Sequence, residues 1–131
     1  MSYTYDFEDI YDYFWTQCTD EEVKQNSTIK CDQYIRAKFA NFITYVDEDA
    51  TIDYTAKTFV TTNILTEKLK NLLGMWMYEK LYENELSKYL KLVNIVSDSH
   101  RVTGIQDRVS NIRKRLDDIR TDVNNILATL L

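Results

Sequence analysis

The sequence has no proline and only 2 glycines, where average usage would give about 6 and about 9. Tight turns, hairpins and phosphate-cradling loops draw on those two residues. Their scarcity argues against a β-sandwich, a barrel, a Rossmann unit or a P-loop. Cysteine is also sparse: Cys18 and Cys31 make no disulfide framework and read as reduced, core-filling side chains. With His100 the only histidine, Cys18, Cys31 and His100 supply at most three zinc ligands, without C-x2-C or H-x3-H spacing. No metal and no cofactor is therefore expected. No apolar run reaches the roughly 20 residues of a membrane span, and the acidic N-terminal stretch lacks the basic and apolar regions of a signal peptide.

Lysine and arginine are missing from residues 1–22, which hold seven acids: Asp6, Glu8, Asp9, Asp12, Asp20, Glu21 and Glu22. The other residues carry 14 acids against 16 bases, so the acidity of the chain is local. Non-specific nucleic-acid binding runs on the opposite balance, with Lys and Arg neutralising phosphates, so nucleic acid is not an expected partner. What is abundant is aromatic: 10 Tyr, 5 Phe and 2 Trp in a chain that is 44% apolar, which excludes ordinary disorder.

Helical periodicity accounts for most of the chain. In residues 5–18, Phe7, Ile10, Tyr11, Phe14 and Cys18 step by three and four, with Asp6 as the expected N-cap. Thr19 and Glu22 are spaced as a capping box that opens a short turn. From 28 to 46, Ile35, Phe39, Phe42, Ile43 and Val46 form a second stripe, which should stop before Asp47, Glu48 and Asp49. Residues 50–62 are rich in threonine and aromatics, so an extended segment is expected there, without a tight hairpin because Gly and Pro are missing. Asn63 is placed to cap a long helix running to 96. In it Gly74 implies close approach by another helix, and Met75, Trp76, Met77 and Tyr78 imply burial on all sides. A face shift near Asn84 leaves room for a kink.

After Gly104 the apolar residues fall at Ile105, Val109, Ile112, Leu116, Ile119, Val123, Ile126 and Leu130. The steps alternate four and three without a break, which is a coiled-coil seam with Ile at d and Val or Leu at a. Ile at each d position disfavours a parallel dimer. Arg108 and Arg115 at g would face Arg113 and Arg120 at e in a parallel homo-oligomer, an unfavourable arrangement. The seam fits three addresses: an intramolecular bundle, self-assembly or a foreign helix. These eight residues are the candidate partner or oligomer interface.

Other constellations are weaker. His100 sits beside Arg101 without a neighbouring nucleophile motif. Arg113, Lys114 and Arg115 are followed by Asp117 and Asp118, as on a solvated face. Asp6, Glu8, Asp9 and Asp12, interleaved with Tyr11 and Tyr13, form a candidate acidic surface for a basic partner.

Residues 69–85 (LKNLLGMWMYEKLYENE) resemble the buried helix of small head-to-tail connector proteins of tailed phages, with Tyr82, Glu83 and Asn84 matching the motif that closes that helix. The resemblance implies a mostly helical particle subunit carrying an extended segment between helices. The family's proline before that helix is missing here, and a coiled-coil tail is not typical of it.

The sequence thus leads to an all-α helical bundle with a long central helix, an extended segment near 50–62 and a C-terminal coiled-coil-type helix. The expected division is a helical body over 1–96, a linker over 97–104 and the heptad helix over 105–131. The expected function is a non-enzymatic assembly subunit, a connector, neck or tail component of a phage-like particle. Its partners would be proteins, as a homo-oligomer or larger assembly, in the cytoplasm or a virion and away from membranes. The alternative is a small acidic inhibitor that blocks a basic or nucleic-acid-binding partner.

Overall fold

The computed structural model describes residues 1–95 and 99–130, with side chains for 1–93 and 104–130. The chain runs β1 (Tyr3–Asp6), α1 (Glu8–Gln17), α2 (Asp20–Gln25), α3 (Thr28–Tyr45), β2 (Thr51–Asp53), β3 (Thr58–Thr61), α4 (Glu67–Ile95) and α5 (Ser99–Ala128). It is mostly helical but not purely α, because the three strands form an antiparallel sheet in the order β1-β3-β2.

The sheet corrects two expectations. First, residues 50–62 do close into a hairpin, with Ile52 of β2 opposite Phe59 of β3. The turn needs no glycine: Asp53 Oδ1 accepts the N–H groups of Thr55 at 3.0 Å and Ala56 at 3.1 Å. Lys57 then takes the left-handed φ of 56°, a region that glycine usually supplies. An Asx turn does the work of the missing residue type. Second, Asp6 does not cap α1 but ends β1 opposite Thr58. Phe7 is the N-cap residue, without a side-chain bond, and Asp9 Oδ2 reaches back to accept the Asp6 N–H at 3.0 Å. Tyr5 stacks on Phe59 at 5.5 Å, and Phe59 meets Phe39 at 5.5 Å and Phe42 at 6.4 Å, which fastens the sheet to α3.

The helices follow the periodicity closely. Thr19 and Glu22 make the expected capping box in front of α2. The helix α3 stops at Tyr45, ahead of the three acids. Of those acids, Asp47 is buried and accepts from Asp49 N at 3.1 Å and Thr62 N at 2.7 Å, tying the end of α3 to the end of β3. The start of α4 lies later than Asn63 implied: Thr66 Oγ1 accepts the Leu69 N–H at 3.3 Å, while the Asn63 carbonyl accepts the Thr61 hydroxyl at 2.6 Å.

Residues 72–79 of α4 are buried on every side and form the centre of the core with Phe7, Ile10 and Phe14 of α1 and Ile35, Phe39 and Phe42 of α3. Gly74 has the expected reason: a Cβ there would sit 2.8 Å from the backbone carbonyl carbon and Cβ of Tyr13. At 29 residues α4 is one continuous element, about 43 Å long. The last helix starts at Ser99, so 99–104 is helical rather than linker. Residues 96–98, at the expected junction of body and linker, lie outside the described residues. Lys68 Nζ donates to Thr129 Oγ1 at 3.1 Å, and Arg108 lies 5.6 Å from the Tyr89 ring, so α4 and α5 run antiparallel. Among the described residues no helix is long and apolar enough to cross a membrane.

Candidate functional site

The heptad seam packs against α4 within the chain. Val109, Ile112, Leu116, Ile119 and Val123 are buried, Ile105 and Ile126 are half-buried, and Leu130 is exposed. Ile119 and Val123 belong to the same core as Trp76. Three of the four flanking arginines, which would repel in a parallel homo-oligomer, turn to α4 instead, Arg108 among them beside Tyr89. Arg115 lies 5.3 Å from the Tyr78 ring, and Arg120 reaches Glu79 and Glu83 at 3.6 Å each. Arg113 and Lys114 remain exposed.

The acidic candidate surface divides. Asp6, Glu8, Asp9 and Asp12 are exposed, but Tyr11 is a core side chain whose hydroxyl donates to Asp32. Tyr13 is half-buried and donates to Glu67, a bond to the carboxylate that raises the phenol's pKa. Lys57 Nζ lies 2.9 Å from Asp32 Oδ2, so the cation of the hairpin turn neutralises the inner edge of this surface.

A charge cluster that the sequence reading missed joins three helices. Lys38 of α3 and Glu79 of α4 are both buried and ion-paired. Lys38 Nζ also lies 2.6 Å from Glu83 Oε1, and Arg120 of α5 closes the set from the other side. That contact with Glu83 is an ion pair without hydrogen-bond alignment, since Oε1 is buried and has no hydrogen-bond partner. A signal was present in the sequence. Lys38 lies seven residues after Cys31 and four before Phe42, on the buried face of α3. Glu79 and Glu83 are like charges at i and i+4, which repel unless a cation lies between them. The cluster is a three-helix clamp, balanced at two charges of each sign.

On the opposite flank of α4 a polar cleft of about 300 Å³ opens between α2, the start of α3, and residues 81–88, with Arg108 and Ile112 on its far wall. Tyr34 donates to Asn26 Oδ1 at 2.7 Å, and Tyr78 donates to Glu22 Oε1 at 2.8 Å, the same oxygen that accepts the Thr19 N–H in the capping box. Burial pushes the Tyr34 phenol up to about 12 and raises Tyr78 and Tyr82 as well. These hydroxyls are donors at neutral pH, not bases. Burial likewise pushes Cys18 and Cys31 up to about 12, so both are thiols rather than nucleophilic thiolates. Among the described residues no group of three or more His, Cys, Asp or Glu side chains is placed to hold a metal. The side chains of His100 and Arg101 lie outside the described residues.

Beyond the core, α4 changes character. Leu81 is its last buried residue among those described. From there α4 runs on along α5 as an arm with α2 and the start of α3 across the cleft on one flank, and the outer groove of this arm, about 350 Å³, is lined by Glu83, Leu86, Ser87, Leu90, Lys91 and Arg120. Leu90 is 37% exposed. Periodicity pointed to the seam, which turned out to be the inside of this hairpin. The groove outside it was not distinguished, because its residues continue the apolar pattern of the buried helix.

Comparison with family models, with curated proteins and with solved structures finds no match to this chain.

Proposed function

We propose that the protein is a non-enzymatic assembly subunit that docks through the α4–α5 arm. The observation that carries this reading is the arm itself. The heptad seam holds its two helices together, while Leu86, Tyr89, Leu90, Leu92 and Val93 of α4 stay half-buried or exposed along it. Apolar side chains left uncovered on a helical hairpin are common material of a helix-to-helix contact. Supporting it, the charged and polar groups of the body serve as clamps and caps: Lys38, Glu79, Glu83 and Arg120 bind helix to helix, and Glu22 both caps α2 and accepts from Tyr78. The concrete setting, a connector or neck ring of a phage-like particle, is taken from the resemblance of residues 69–85.

The second reading, an acidic inhibitor of a basic partner, is favoured by the exposure of Asp6, Glu8, Asp9 and Asp12. Light scattering of the full chain over a concentration series separates the two. Assembly gives a defined species heavier than the monomer, reduced in mass by Leu90→Glu with an unchanged circular dichroism spectrum. A monomer at every concentration that binds polylysine with steep salt dependence overturns assembly in favour of inhibition.

A further inference from the structure

We infer that the partner of the arm is a second copy of this chain, bound antiparallel across a two-fold axis at Ser87. This rests on the assembly reading and names its interface. Five of the six groove residues, Glu83, Leu86, Ser87, Leu90 and Lys91, are spaced three, one, three and one along α4 and share one face, and the sixth, Arg120 of α5, lies beside Glu83. That face is self-complementary in one direction only. With Ser87 over Ser87, an antiparallel copy sets Glu83 against Lys91 of the second copy and Lys91 against its Glu83. Leu86 and Leu90 of both copies then close over the axis. A parallel pairing of the same face sets Glu83 beside Glu83 and Lys91 beside Lys91, where like charges repel.

Two further observations fit. Glu83 Oε2 meets only Arg120, at 3.6 Å, well beyond the 2.7–2.9 Å of a charge-assisted hydrogen bond. Glu83 is shared with Lys38 on its other oxygen, but Oε2 keeps a hydrogen-bonding position for an ammonium arriving from the groove beside Arg120. Lys91 is exposed and makes no ion pair among the described residues. At the centre, Ser87 is exposed and small, which suits helix axes about 8–10 Å apart. With Cα atoms about 2.3 Å off each axis, the two Ser87 positions come within disulfide range. The stripe is only two turns long, so the contact makes a concentration-dependent dimer rather than a permanent one. In a larger assembly, linkage to other contacts would strengthen it.

The test uses the full chain carrying Ser87→Cys, exposed to oxidised glutathione and run on a non-reducing gel. A covalent dimer is expected, whereas Asn111→Cys, exposed on the other flank of α5, and the parent with its native cysteines stay monomeric on the gel. Lys91→Glu, which sets Glu against Glu83 twice across the axis, should weaken the dimer in sedimentation by at least about tenfold, with melting unchanged and Lys91→Arg behaving as the parent. If the parent oligomerises but Ser87→Cys cross-links no better than Asn111→Cys, or Lys91→Glu sediments as the parent does, this interface is wrong and assembly uses another surface. If the parent is monomeric throughout and Ser87→Cys gives no dimer, both readings fall.

Discussion

Residues 72–79 and 83–91 belong to the same helix but to different surroundings. The first stretch is enclosed by α1, α3 and α5, and every residue in it is buried. The second is half-buried or exposed, with α5 packed along it. What separates them is not hydrophobicity, since Leu86, Leu90 and Val93 continue the apolar pattern, but the supply of neighbours. A single glycine draws α1 onto the first stretch, and no comparable opening exists in the second. Local pattern tells which face of a helix is apolar, and only the rest of the fold tells what covers it.

The largest expected effect is in the enclosed half. Trp76 is 2% exposed, and Trp76→Ala should lower the unfolding free energy by about 3–5 kcal/mol in urea titration. A loss under about 1 kcal/mol would mean that the centre of the core is elsewhere. At the boundary between the halves, Lys38→Met leaves Glu79 and Glu83 with only Arg120, which is 48% exposed. That should cost about 3 kcal/mol, while Arg120→Met should cost under about 1 kcal/mol. Equal losses would show that the clamp depends on α5 as much as on α3. Gly74→Ala drives a Cβ to 2.8 Å from Tyr13 backbone and should destabilise by about 1–3 kcal/mol through overpacking.

Alkali should also destabilise the protein through buried groups of the body. The folded state holds the Cys18 and Cys31 protons up to about 12, against 9.0 for an ordinary thiol, and Tyr34 up to about 12 against 10.0. The unfolded chain loses these protons first, so stability is constant below pH 9 on this account and falls as pH rises from 9 towards 12. Cys31→Ala should flatten the slope of melting temperature against pH in that window. A slope unchanged by the substitution would remove the thiol from the account. The smallest effect belongs to the arm: Leu90→Ala should change stability by no more than about 0.5 kcal/mol, and a loss of several times that would place Leu90 in the folding core.

The helices were legible because they are long and their apolar residues repeat: α1, α3 and the seam of α5 lie within a few residues of the periodic segments. Gly74 and the capping box were legible because each has one dominant physical cause. The sheet was harder. Tyr3, Thr4, Tyr5 and Asp6 alternate aromatic and polar, a short strand signal, but Tyr5 and Asp6 also fit the helix that follows. Their partner strand lies at Thr58–Thr61, and pairing over that separation leaves no local mark. The hairpin was missed because Asp53 and Lys57 stand in for glycine through a side-chain acceptor and a left-handed backbone. The charge clamp was missed because Lys38, Glu79, Glu83 and Arg120 become a unit only when three helices meet.

The pairing of β1 with β3 also sets an order of events during synthesis. Tyr3–Asp6 leave the ribosome long before Thr58–Thr61, the strand they must pair with, and α1 follows long before Gly74, the notch in which it rests. Until then α1 meets only α3, through Phe14 against Tyr34 and the Tyr11 hydroxyl on Asp32. The face of α1 that rests on Gly74 is therefore uncovered until α4 is made, and the seven carboxylates of residues 1–22 give that apolar segment a like charge that opposes self-association.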